Sequence, residues 1–74
     1  MNPQVLRQGI LDCQVCVPSD WTDEQAIALA EREYPSGTSN GWQIRRQGDE
    51  ALRGANERVE CKERPGYVHI MLDA

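Results

Sequence analysis

The chain contains no phenylalanine, one histidine, two tryptophans and two tyrosines. With so few aromatic residues, Trp21, Tyr34, Trp42 and Tyr67 must supply much of the burial of large side chains. A single histidine confines any imidazole acid–base chemistry to His69. No apolar run approaches the roughly 20 residues that span a bilayer, so no membrane partner is expected. Met1 to Gln8 carries Arg7 but is followed by no apolar stretch, which argues against a secretory leader and for a cytoplasmic setting. An excess of positive charge is also missing. Eight Lys and Arg against twelve Asp and Glu give a net charge of −4, the wrong sign for a general phosphate-backbone binder, although Arg45 and Arg46 are adjacent. No nucleic-acid partner is expected. Ser36-Gly37-Thr38-Ser39-Asn40-Gly41 lacks the Lys-Ser/Thr ending of a phosphate loop and follows a helix instead of leading into one. It reads as a connection. Internal repeats and low-complexity tracts are absent.

What is present fits one small domain, residues 1–74, with residues 1–8 as a loose lead-in. A chain of 74 residues buries only about 60% of its unfolded surface, so the core must be thin. Leu11, Cys13, Val15 and Val17 alternate with Ile10, Asp12, Gln14 and Cys16, the period of a half-buried strand, which Pro18 stops. Thr22 and Gln25 form a capping box, with Trp21 and Ala26 as its hydrophobic staple. The helix is expected from about Asp23 to Tyr34, with Ala26, Ile27, Leu29, Ala30 and Tyr34 as its apolar stripe. Pro35 ends it. Trp42 to Gln47 reads as a second strand, with Trp42 and Ile44 on one face, and Gly48 to Asn56 as a link in which Ala51-Leu52 forms a helical turn. Glu57 to Glu63 and Tyr67 to Asp73 form a hairpin around Arg64-Pro65-Gly66. Val68, Ile70 and Leu72 alternate with Tyr67, His69 and Met71, and this apolar segment must be tied into the sheet. The expected fold is α+β: a four-stranded, mainly antiparallel sheet with one helix on one face, in the order β-α-β-β-β.

Three cysteines, an odd number, suit reduced thiols better than a disulfide framework. Cys13, Cys16 and Cys61 together with His69 make up a set of four potential zinc ligands. Strand geometry opposes that set, because residues three apart in a strand face opposite ways. Cys13 is expected on the helix side with Cys61, and Cys16 on the other side with His69. The plain expectation is two buried cysteines acting as small hydrophobes and one surface thiol, with no metal, no cofactor and no catalytic residue. A thioredoxin-like use of Cys13 and Cys16 lacks the required helix N-terminus at the first cysteine.

One helix covers one face of such a sheet. The uncovered face carries Gln14, Cys16, Gln43, Arg45, Arg58, Glu60, Lys62, Tyr67, His69 and Met71. Its mixture of aromatic, Met and Arg residues is of the kind enriched at protein interfaces. Cys16, Arg45, Tyr67, His69 and Met71 are the candidate contacts for a protein partner or a second copy, by this face or by a sheet edge. The stretches Pro18-Ser19-Asp20-Trp21-Thr22-Asp23-Glu24-Gln25-Ala26, Gly41-Trp42-Gln43-Ile44 and Glu63-Arg64-Pro65-Gly66-Tyr67-Val68-His69-Ile70-Met71-Leu72-Asp73 resemble a family of small proteobacterial and prophage proteins to which no activity is attached. The resemblance covers most of the chain from Val17 onward. It implies a bacterial or phage origin and an accessory role such as modulating a host protein, and it transfers no functional residue. The expectation is therefore a non-enzymatic accessory protein acting by protein–protein interaction. The alternative is a small zinc-binding or thiol redox protein using Cys13, Cys16 and Cys61.

Overall fold

In a computed structural model, which describes residues 2–45 and 58–74, the helix starts where its capping signal places it. Thr22 is extended (φ −78°, ψ 164°), and its hydroxyl accepts the Gln25 N–H at 3.2 Å while Gln25 Oε1 accepts the Thr22 N–H at 2.8 Å. These reciprocal bonds satisfy two donors that the first helical turn would otherwise leave unpaired. Asp23 and Glu24 complement the positive end of the helix dipole. Helix α1 runs Asp23–Glu33 and buries Ala26, Leu29 and Ala30. Tyr34 does not extend this stripe. It leaves helical geometry as the C-cap (φ −148°, ψ 81°) and is 45% exposed. Its carbonyl, left without a helical partner, accepts the Trp42 Nε1–H at 2.7 Å, while Glu31 accepts the Trp42 backbone N–H at 2.8 Å. Gly41 makes this approach possible: its φ is +71°, and a Cβ there would lie 2.7 Å from the Glu31 carboxylate.

Among the described residues the sheet has five strands: β1 Gln4–Gln8, β2 Asp12–Pro18, β3 Gln43–Ile44, β4 Val59–Glu60 and β5 Tyr67–Asp73. All described pairings are antiparallel. The fold is α+β, a helix on an antiparallel sheet, as the patterns predict. The extra strand is β1, in the segment expected to be a loose lead-in. Its alternation is hidden because Leu6 is an inserted bulge residue between the pairs Val5–Val15 and Arg7–Gln14. Leu11, expected on the core face, is 64% exposed because the chain turns there, with the Gly9 N–H donating to the Asp12 carbonyl at 2.7 Å. The helical turn expected at Ala51-Leu52 and the link around it lie outside the described residues. No described helix is long and apolar enough to cross a membrane.

Strand β5 is central. It pairs with β2 along its whole length on one edge, and on the other edge with β4 near its start and β3 near its end. Its even-numbered residues Val68, Ile70 and Leu72 meet Val17, Val15 and Cys13 on the helix side. Together with Ala26, Leu29, Ala30 and Trp42 they form the core, with Val5, Trp21, Ile27 and Ile44 packed at its margin. Arg58 secures the approach to β4, its guanidinium 2.7 Å from Asp23 at the helix N-terminus.

The hairpin joining β4 to β5 is built from two successive turns. The Arg64 N–H bonds to the Cys61 carbonyl at 3.3 Å and the Tyr67 N–H to the Arg64 carbonyl at 3.0 Å. Pro65 and Gly66 occupy the central positions of the second turn, and Gly66 has φ +87°, as a type II turn requires.

Two outcomes follow for stability. Removing residues 68–74 takes away the strand to which β2, β3 and β4 all pair, so far-ultraviolet circular dichroism should show no cooperative melt. A sharp transition would contradict the central place of β5. Thr22→Ala should cost about 1 kcal/mol, read from urea denaturation as a lower midpoint at unchanged slope.

Candidate functional site

The face of the sheet away from α1 carries the odd-numbered residues of β5, and one end of it gathers the chemistry. Cys16 of β2 lies directly opposite His69 of β5. Cys61 follows β4, and its N–H donates to the Tyr67 carbonyl at 3.0 Å, which sets it opposite Tyr67. Residues opposite one another in an antiparallel pair share a face, so Cys61 joins Cys16 and His69. The Sγ atoms of Cys16 and Cys61 and a ring nitrogen of His69 all lie within 4.8 Å of one another.

This corrects two expectations. Cys61 is not on the helix side with Cys13, because the hairpin register places Val59 opposite His69 and leaves Val59 60% exposed. Apolar character alone assigns Val59 and Cys61 to the core. Cys16 is not a surface thiol either: it is 0% exposed. Cys13 does lie across the sheet in the core, which removes it from any ligand set shared with Cys16.

Arg64 packs over Cys16, which already lies between β1 and β5. The arginine side chain folds back from the hairpin over the open face. One guanidinium nitrogen donates to Cys16 Sγ at 3.3 Å and the other to the Asn2 carbonyl at 2.7 Å, and the group stacks 4.4 Å from the centre of the Tyr67 ring. On the opposite rim, Cys61 Sγ donates to Glu63 Oε1 at 3.5 Å. Sequence reasoning singled out neither residue, since Arg64 sits in what reads as a plain turn and Glu63 at the end of an expected strand.

The remaining expected contacts lie toward the other end of β5. Arg45 is engaged by Asp73 at 2.9 Å and reaches Asp12 at 3.7 Å, tying β3 to β5 and to the start of β2. Met71 is half-buried, its carbonyl accepting the Arg45 N–H at 3.0 Å. The structure thus brings Cys16, Tyr67 and His69 together and leaves Arg45 and Met71 apart from them.

The two thiols on this face are close and unbonded. Cys16 and Cys61 lie on strands flanking β5 on opposite sides. All three cysteines are free. Burial pushes the Cys16 thiol above its usual range and the Cys61 sulfur adds to the rise, while the Arg64 guanidinium acts in the opposite direction. Thiolate and imidazole donors in such a cluster suit soft or borderline metals, zinc foremost.

No protein-family model matches this chain, and neither does any curated protein or solved structure. The geometry alone carries the functional argument.

Cys13 provides a pH test. Burial, reinforced by the Asp12 charge, pushes its thiol from the ordinary 9.0 up to about 11. The unfolded chain therefore releases this proton near pH 9 and the folded chain only near pH 11. Its contribution to stability is intact below pH 9 and is lost as pH rises through 11, a loss of roughly 3 kcal/mol. Urea midpoints measured from pH 8 to 11 should fall less steeply for Cys13→Ala than for the wild type. Parallel curves would contradict this placement of Cys13.

Proposed function

We propose that this protein binds one zinc ion, or a metal of similar softness, through Cys16, Cys61 and His69. The carrying observation is the convergence of three donor atoms within 4.8 Å on the open face of the sheet. Tetrahedral zinc with Zn–S of about 2.3 Å and Zn–N of about 2.0 Å sets its ligands roughly 3.5–3.8 Å apart. Modest side-chain rotation closes the cluster to that spacing. The histidine nitrogen beside the two sulfurs favours metal over thiol redox chemistry, since a dithiol pair needs only the cysteines. Cys13 takes no part.

The metal would cross-link β2, β5 and the hairpin arm. In the described residues β4 contributes only Val59–Glu60 to the sheet, so a bridge from Cys61 to Cys16 fastens a weakly held segment. The role is structural, a clamp on the exposed face. The reading of this face as a protein-docking surface has less to draw on. Cys16 is buried beneath Arg64, and Arg45 is occupied by Asp73. Tyr67, His69 and Met71 remain, each half-buried.

Protein purified without a histidine tag should take up one equivalent of zinc per chain in competition with a chromophoric chelator. Cys16→Ser, Cys61→Ser and His69→Ala should each weaken binding by tenfold or more, and Cys13→Ala should not. Free zinc at a hundred times Kd should stabilise the fold by about 3 kcal/mol, a rise in Tm on the order of 10–20 °C for a domain of this size. Unchanged affinity in Cys16→Ser, or no rise in Tm, would overturn the proposal.

A further inference from the structure

We infer that Glu63 supplies the fourth ligand. The site then closes as a four-coordinate centre of two cysteines, one histidine and one glutamate, with no position left for water or substrate. The inference rests on the metal reading of Cys16, Cys61 and His69 and deepens it. Three protein ligands alone would leave the fourth position open, the arrangement of catalytic zinc. Four close it, the arrangement of structural zinc. Which of the two this chain builds decides the kind of protein it is.

Three observations point to Glu63. First, its Oε1 stands 3.5 Å from Cys61 Sγ. A tetrahedral ion with Zn–S of about 2.3 Å and Zn–O of about 2.0 Å places those two ligand atoms about 3.5 Å apart, so this separation already matches that of two ligands on one ion. Second, the residue is exposed on the turn after Cys61. Its oxygens lie beyond 4.8 Å of at least one of the other donors, so binding requires the carboxylate to rotate inward, which a long surface side chain does at little cost. Third, the charges balance. Two thiolates and a carboxylate carry three negative charges against the two positive charges of zinc. The Arg64 guanidinium, 3.3 Å from Cys16 Sγ, offsets the remainder. Binding would release the thiol protons of Cys16 and Cys61 to solvent and replace the Cys61–Glu63 hydrogen bond by a shared bond to the ion.

Cobalt(II) in place of zinc tests this on the full chain, through its d–d bands and its sulfur-to-cobalt charge-transfer band, with azide as a probe for an open position. The wild type should bind cobalt with tetrahedral bands that azide does not disturb. Glu63→Gln and Glu63→Ala should bind cobalt roughly tenfold more weakly or worse, and azide should shift their d–d bands. Unchanged affinity and bands in both variants, or an azide response in the wild type, would overturn the inference. Weaker binding with no azide response would also overturn it, because it would place Glu63 in the outer shell as a positioning residue. Cys16→Ala separates the metal site from its fourth ligand. If it keeps wild-type cobalt affinity and charge-transfer intensity, the metal site itself fails. If it loses them while the Glu63 variants stay unchanged, only the fourth ligand fails.

Discussion

Seven consecutive residues, Tyr67–Asp73, take backbone hydrogen bonds from strands on both sides, and their strict alternation divides the molecule. Val68, Ile70 and Leu72 turn toward the helix and into the core; Tyr67, His69 and Met71 turn away from it. Because side chains in a strand repeat every two residues, a slip of one position would drive the apolar set into solvent and His69 into the core. The same register that secures the core therefore also fixes which residues can meet on the open face. Strand β2 is matched to β5 over its full length, so the position of Cys16 opposite His69 follows from the burial of Val15 and Val17 on the other side.

The open face is assembled from parts that are far apart in the chain and held by separate devices. Cys16 comes on a strand fastened by the core. His69 comes on the central strand. Cys61 comes on a hairpin arm whose turn depends on Pro65 and Gly66. Arg64, from the same turn, reaches back to cover Cys16 and to hold the Asn2 carbonyl. Cys16 and Cys61 come from opposite sides of β5, and their sulfurs meet on its open face beside His69. Two thiols and an imidazole are the donor types that suit an ion bridging all three segments. A domain this small buries little apolar surface, and small domains with thin cores commonly recruit metals as cross-links.

Much of this is legible in the sequence, and the gaps have physical causes. The capping box at Thr22 and Gln25, the alternation of β2 and β5 and the burial of Trp42 are all open to reading, because each depends on local pattern. Strand β1 is not, since the Leu6 bulge breaks its period. The partition of Cys13 and Cys16 between faces is visible from their spacing. The face of Cys61 runs against expectation, though a signal exists: a hairpin that closes over an odd number of residues without a bulge sets residues of equal parity opposite one another, which aligns Cys61 with Tyr67 and His69. The apolar character of Val59 and Cys61 argues for the core and masks that parity. The contacts of Arg64 with Cys16 and of Glu63 with Cys61 leave no sequence signal, because they arise only once the turn has formed.

The central claim is that two cysteine sulfurs, a histidine nitrogen and a carboxylate oxygen surround one ion on the open face. X-ray absorption at the zinc edge of the metal-loaded chain measures this directly. The account predicts two sulfur scatterers at about 2.3 Å and two nitrogen or oxygen scatterers at about 2.0–2.1 Å. A shell of nitrogen and oxygen alone, or a single sulfur, would contradict it.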